Sequence, residues 1–230
     1  MGKITIAIDG HSSTGKSTLA KQLATALGYV YVDTGAMYRA VTLFALRNHF
    51  IGNKRDNISA LVKLLPKIRL KFVYNQDLGF SEMYLNNENV EKEIRTLEVS
   101  KYVSQIAAIE QVRFKLVDLQ KKMGKDKGIV MDGRDIGTVV FPDAELKIFM
   151  TASPEIRAQR RYKELLDRGE VVSFEEVLKN VKNRDFIDSH REVSPLLKAD
   201  DAIEFDNGEM GLKEQFERIY NYALRVIEKQ

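Results

Sequence analysis

Residues 10–17 read Gly10-His11-Ser12-Ser13-Thr14-Gly15-Lys16-Ser17, the spacing G-x-x-x-x-G-K-S of a nucleotide phosphate loop. An apolar run, Ile4-Thr5-Ile6-Ala7-Ile8, precedes it, and a helical pattern beginning at Thr18 follows. In that setting, backbone N–H groups and a helix N-terminus converge on one point and form an anion site. Lys16 then reaches the outer phosphates of ATP or GTP, and the Ser17 hydroxyl holds Mg²⁺. Carboxylates are the second ingredient, because Mg²⁺ takes oxygen ligands. Asp9, Asp33, Asp132 and Asp206 each close an apolar run. Asp132, at the end of Ile129-Val130-Met131, is the expected magnesium-side carboxylate. The other three stay open between helix capping or loop anchoring and a nucleotide role.

Arginines supply the third ingredient. In Asp132-Gly133-Arg134-Asp135-Ile136-Gly137-Thr138, one arginine stands beside two acids and two glycines at a strand end. Glycine lets backbone approach a ligand, and a guanidinium fork matches phosphate oxygens. In Asp33-Thr34-Gly35-Ala36-Met37-Tyr38-Arg39, Thr34 is placed to cap a helix that carries Arg39 about one turn inside. Arg184, Asp188 and Arg191 follow i, i+4, i+7 spacing and present plus, minus, plus on one helical face. A solvated salt-bridged face and a ligand site both fit that pattern. Arg157, Arg160 and Arg161 lie on the preceding helix beside Glu155, Glu164 and Asp167. They read either as another solvated face or as a mobile lid closing cations over transferring phosphates.

The elements that must position these groups alternate. Near-continuous apolar runs at 4–9, 29–33, 128–132, 146–150 and 202–206 predict five buried parallel strands. Helical patterns lie near 36–49, 97–123, 153–168, 173–190 and 211–228, and one built on Leu19, Ala20, Leu23, Ala24 and Leu27 stops at Gly28. The fold class is therefore α/β, an open five-stranded parallel sheet flanked by helices, with ligands at the strands' carboxyl ends. Residues 67–95 break the rhythm. Ile68-Arg69-Leu70-Lys71-Phe72-Val73-Tyr74 alternates like a half-exposed strand, Asn75–Gly79 supplies turn chemistry, and Met83-Tyr84-Leu85 returns. The reading is a small β-rich insert at 67–95 in a core of 1–66 and 96–230, with a helical lid near 157–172.

Composition sets limits. The 230 residues are 44% hydrophobic and 30% charged, as in an ordinary globular chain. A net charge of +3 is too small to argue for nucleic acid, and no nucleic-acid motif occurs. Zero cysteines excludes disulfides and thiolate metal sites and fits a reducing cytosol. No apolar run approaches the about 20 residues that span a bilayer. His11, His49 and His190 are isolated, which argues against a histidine metal site. The expectation is a cytoplasmic monomer without membrane or nucleic-acid partners.

Together the motifs resemble the bacterial cytidylate kinases of the nucleoside monophosphate kinase family, a P-loop kinase fold. The likeness runs through the phosphate loop, Asp33–Arg39, Val103-Ser104-Gln105-Ile106-Ala107-Ala108, Val112-Arg113, Asp132–Pro142 and Arg184…Asp188…Arg191 with Ser194-Pro195-Leu196. The family's insert falls where this chain has its β-rich segment. The resemblance implies phosphoryl transfer from ATP, with Mg²⁺, to CMP or dCMP. It implies that residues 10–18 (Gly10 through Thr18) and Arg157 bind the donor, with Lys16, Asp132, Arg134 and Arg161 at the chemistry. Thr34, Arg39, Arg134 and Arg191 would hold the CMP phosphate. Ser104, Arg113 and Asp135 would read cytosine, and Arg184 and Asp188 would engage the sugar. The chemistry agrees, since cytosine's exocyclic amine suits a carboxylate and its ring acceptors suit arginine and serine. The chain departs from the family's small-residue-rich loop at His11, Ser13 and Thr14, and has Thr34 where many relatives have serine.

Two rivals have sequence support. Asn53-Lys54-Arg55-Asp56 fits the guanine-reading N-K-x-D motif of GTP switches, but it lies early, follows a helix, and no D-x-x-G accompanies it. It reads as a polar turn. A phosphotransferase with another acceptor, such as AMP, dTMP or shikimate, is disfavoured only by the cytosine-side residues of the resemblance.

Overall fold

The computed structural model describes residues 2–52 and 55–230. The turn read at residues 53–56 therefore begins outside the described residues. The central sheet is built from β1 (Thr5–Gly10), β2 (Val30–Asp33), β6 (Ile129–Gly133), β7 (Leu146–Thr151) and β8 (Ile203–Asp206). All pairings are parallel, in the order β2-β6-β1-β7-β8. The chain leaves β1 in one direction and later fills the other side, so the carboxyl end of β1 is a switch point where a crevice opens. Side chains alternate along β1. Ile6 and Ile8 pack against α1 (Lys16–Leu27) and α8 (Leu212–Ile227), while Ala7 joins Val32, Ile129 and Met131 on the opposite face. Burial on both faces is why these strands read as continuous apolar runs.

α1 ends where expected. Gly28 adopts φ 66° and its N–H returns to the carbonyls of Ala24 and Thr25, closing the helix without the Cβ strain of another residue. α2 (Thr34–Arg47) differs in its cap. Asp33, not Thr34, is the N-cap, accepting from the Ala36 N–H at 2.9 Å, and Thr34 is the first helical residue. Aspartate outcompetes threonine here because β2 ends directly in the cap position. A short helix, α3 (Ile58–Leu64), opens on Asn57, whose side chain accepts from Ala60 N–H.

The segment read as an insert forms an antiparallel sheet of β3 (Leu70–Asn75), β4 (Phe80–Leu85) and a two-residue β5 (Glu88–Asn89). The third strand had no sequence signal beyond Asn86-Asn87, which take left-handed φ of 50° and 72° to make the turn. The buried face of β4, Met83 and Leu85, packs into a cluster with α2 residues Met37 and Val41.

The helix expected at 97–123 is two helices, α4 (Leu97–Ala108) and α5 (Glu110–Met123). Ile109 between them is extended, at φ −72° and ψ 118°. The Ala107 carbonyl freed by the break accepts from an Arg113 guanidinium N–H at 3.0 Å. α6 (Pro154–Asp167) and α7 (Phe174–His190) pack on each other through Ala158, Leu165, Val177 and Val181. α7 stops at His190, and Arg191 turns out of it at ψ 145°. The plus, minus, plus face predicted for Arg184, Asp188 and Arg191 is thus broken at its third member.

The phosphate loop follows β1 directly. Gly10 has φ 141°, and a Cβ there would lie 2.2 Å from the Met150 carbonyl oxygen of β7. The loop is braced from behind: Asn207 Nδ2 donates to the Thr14 carbonyl at 2.5 Å, and Arg160 reaches the same carbonyl at 3.3 Å. Arg157 donates to the Ser12 carbonyl at 3.3 Å and forks onto Asp185 of α7 at 2.9 and 2.6 Å. His11 Nδ1 stands 3.2 Å from the same carboxylate. Burial alone would raise the Asp185 carboxyl. The His11 ring and the Arg157 guanidinium outweigh it and hold the group at about 2, below its usual 3.8.

A carboxyl depressed on folding contributes stability that is complete above the unfolded pKa and fades as pH falls through the folded one. Asp185→Asn should therefore lose about 1 kcal/mol at pH 7, after discounting for partial exposure. The gap from wild type should close between about pH 4 and pH 2. Urea unfolding at several pH values measures both.

Candidate active site

A cavity of about 110 Å³ opens beside the phosphate loop. The carboxyl ends of β1, β2 and β6 feed it, with α2, α4 and α7 as walls. Seven cations line it: Lys16, Arg39, Arg95, Arg113, Arg134, Arg184 and Arg191. Four carboxylates face them: Asp33, Asp132, Asp135 and Asp188. The formal excess is three positive charges among side chains that are mostly buried.

On the loop side, Lys16 at the start of α1 is buried, its ammonium held by the His11 carbonyl at 2.5 Å and the Thr14 hydroxyl at 3.2 Å. Burial, then Arg134, lowers its pKa well below the usual value, while Asp132 and Asp9 oppose the shift. Gly15 caps α1 at φ 95°, and Ser13 takes φ 62°. The loop thus carries a left-handed non-glycine residue at Ser13. Gly10, Ser12, Ser13 and Thr14 shape the cradle, and Thr18 is exposed on the first turn of α1. The Ser17 hydroxyl donates to Asp132 Oδ2 at 3.0 Å, and the Tyr31 hydroxyl donates to Oδ1 at 2.8 Å. Burial, aided by Asp33, raises the Asp132 carboxyl to about 6 against the pull of Lys16.

The donor set fits a magnesium ion. Ser17 and Asp132 are hard oxygen groups in contact, and the carboxylate is desolvated. Among the described residues no group of three or more His, Cys, Asp or Glu forms a metal cage. Mg²⁺ does not need one, since it commonly uses one or two carboxylates plus waters and substrate phosphates.

The other strand-end carboxylates are anchors. Asp9 accepts from the N–H groups of Ile136 and Gly137 at 2.8 and 2.7 Å, closing the wide turn Ile136–Val140 after β6. Asp33 adds to its capping role an ion pair with Arg95 at 2.8 Å. Asp206 accepts from Gly208 N–H at 2.8 Å.

Across the cavity, Arg113 of α5 and Asp135 form an ion pair in which both side chains are almost wholly buried. The Tyr38 ring lies 5.4 Å from the Arg113 guanidinium carbon. Asp188 accepts from Arg134 Nε at 2.9 Å and stands 3.9 Å from Arg191. Burial would raise Asp188, but Arg134, Arg184 and Arg191 hold it below the usual range. Arg184 donates to Ser12 of the loop at 3.0 Å, to Ser100 at 3.2 Å and to Ser104 at 3.5 Å, so it joins the two halves of the cavity. Thr34 donates its hydroxyl to the Asp132 carbonyl at 2.7 Å. Arg39 and Arg191 each keep one buried guanidinium nitrogen with no partner. Burial and the neighbouring Arg184 lower the Arg39 pKa well below its usual value.

Arg157 and Arg161, expected on a lid, stand apart from the cavity. Arg157 is spent on Asp185 and loop carbonyls, while Arg161 pairs with Glu164 at 2.8 Å and donates to the Arg95 carbonyl at 2.5 Å. Neither lines the cavity. Arg95, Tyr38 and Tyr31 were missed at the sequence level. Tyr38 sits inside a motif beside Arg39 and was open to notice. Arg95 pairs with Asp33 from across the small sheet, and no spacing rule connects them.

A family model described as cytidylate kinase matches residues 6–225. A protein named cytidylate kinase from Flavobacterium psychrophilum is 67% identical over 98% of this chain and 100% of its own. One of the same name from Flavobacterium johnsoniae is 65% identical over 99% of each chain. Another, from Bacteroides thetaiotaomicron, is 55% identical over the full length of both. With the loop, the strand-end carboxylates and the arginine-lined cavity in the places described, the chain belongs to the cytidylate kinase family.

Proposed function

We propose that the chain transfers the γ-phosphoryl group of ATP to CMP or dCMP, giving ADP and CDP or dCDP. One observation carries the reading. Arg39 and Arg191, each with a buried guanidinium nitrogen that has no hydrogen-bond partner, face a cavity that a phosphate loop closes on one side and in which cations outnumber carboxylates. Such an excess of cations is stable only with an anion among them.

Residues 10–18 with Lys16 hold the donor phosphates, and Arg157 fixes the loop from the lid side. Ser17 and Asp132 would hold Mg²⁺. The metal, when bound, offsets charge developing between the outer phosphates. Thr34, Arg39, Arg134 and Arg191 grip the acceptor phosphate. One of its oxygens forms the new bond to the γ-phosphorus, and the bond to the β–γ bridging oxygen breaks, the electron pair leaving with ADP. The acceptor is already anionic, so alignment and charge neutralisation matter more than a general base. Ser104, Arg113 and Asp135 read the base, while Arg184 and Asp188 lie on the sugar side. Cytosine offers an amine to Asp135, whereas uracil would face it with a carbonyl. A site built around a buried partner penalises the analogue that lacks it. The lid is placed at 157–172, with Arg161 bringing it to the Arg95 carbonyl. Its closure excludes water from the transferring group. Among the described residues no helix is long and apolar enough to cross a membrane.

A coupled ADP-release assay with ATP and CMP, dCMP, UMP, AMP, dTMP and shikimate tests the reading. Turnover should be fastest with CMP or dCMP, and brisk turnover of another acceptor alone would overturn it. Lys16→Ala should cut kcat by about 10²–10³-fold with an unchanged circular dichroism spectrum. Asp135→Ala should reduce the CMP over UMP preference in kcat/KM by about 10-fold or more, leaving ATP affinity near wild type.

A further inference from the structure

Asp132 is held at both oxygens. Ser17 donates to Oδ2 at 3.0 Å, and Tyr31, from the edge strand β2, donates to Oδ1 at 2.8 Å. The Tyr31 ring packs with the apolar cluster beneath α1 and carries its hydroxyl to the rim without entering the cavity lining. Lys21 of α1 holds its ammonium 5.8 Å from the centre of that ring. Two donors, one per oxygen, fix the plane of a carboxylate, where one donor leaves it free to rotate. Rotation has a competitor here, since Lys16 is a buried cation in the field of Asp132. A carboxylate turned toward Lys16 is lost to a metal and also draws that ammonium away from the donor phosphates.

We propose that Tyr31 is a positioning residue for divalent-cation binding. Its hydroxyl holds Asp132 in the orientation in which the carboxylate and Ser17 together would hold the ion. The inference rests on the reading of Asp132 as the magnesium-side carboxylate. Tyr31 itself does not line the cavity. Groups that orient a metal ligand in this way commonly change metal affinity by about 10–100-fold when removed.

The test uses the full chain and Mn²⁺ as the probe, with free Mn²⁺ read by its electron paramagnetic resonance signal in the presence of ADP. Tyr31→Phe should weaken Mn²⁺ binding by about 10-fold. CMP affinity, measured by calorimetry without metal, should stay within about twofold of wild type. In the kinase assay the Mg²⁺ concentration giving half-maximal rate should rise by a similar factor, with kcat largely restored at saturating Mg²⁺. Tyr31→Leu removes ring and hydroxyl together and should show the same metal defect, which provides a second reading should Tyr31→Phe be poorly folded. Asp132→Asn separates the two levels of the inference. If Asp132→Asn loses Mn²⁺ binding while both Tyr31 variants keep it, the positioning role is wrong. If Asp132→Asn also keeps it, the metal reading of Asp132 is wrong. Equal weakening of Mn²⁺ and CMP binding in Tyr31→Phe would show general loosening of the cavity and would also overturn the proposal.

Discussion

Positive charge held out of water governs this molecule. Guanidinium groups packed near one another repel, and desolvation adds to the cost, so each needs a carboxylate, a carbonyl or a ligand. The fold meets the demand unevenly. Asp135 takes Arg113, Asp33 takes Arg95, and Asp188 is shared between Arg134 and Arg191. Arg184 has hydroxyls, Lys16 has a carbonyl and a hydroxyl, and Arg39 has an unpartnered nitrogen. What the protein leaves unpaired is concentrated where two phosphorylated molecules would meet.

The scaffold behind this arrangement is a parallel sheet whose edge carries carboxylates at four positions. Only one of them serves the loop. Asp9 secures the turn after β6, and Asp206 closes its own loop. Asp33 starts α2, which delivers Tyr38 and Arg39, and also ties down the end of the small sheet through Arg95. Buried carboxylates beside backbone N–H groups keep strand ends in register with the helices that follow. The shape of the crevice therefore depends on carboxylates whose partners are backbone N–H groups and Arg95.

Much of this was legible in the chain. Five strands covered on both faces leave continuous apolar runs, and a phosphate loop needs glycines at fixed offsets, so both announce themselves locally. The Asp132–Thr138 segment was legible because charged residues and glycines at a strand end have few structural uses. Other features depend on contacts between distant parts of the chain. The break at Ile109 has neither glycine nor proline, and it exists because Arg113 satisfies the Ala107 carbonyl and Asp135 holds Arg113 in turn. Helical periodicity continues through Arg191, yet the backbone turns away so that its side chain meets Ser194 and Asp188. Asp33 and Thr34 are both good caps, and only the end point of β2 decides between them. Tyr31 reads as one more apolar residue of a strand until the position of Asp132 is known.

The hinge between α4 and α5 has a consequence for redesign. Arg113 terminates one helix through the Ala107 carbonyl and faces the cavity through Asp135, so its two duties cannot be varied separately. On the base contacts proposed above, recoding the pocket for a different heterocycle would begin at position 135, or rebuild the joint between the helices first. A library that randomises Arg113 alone would return mostly damaged proteins, whatever base it was meant to select.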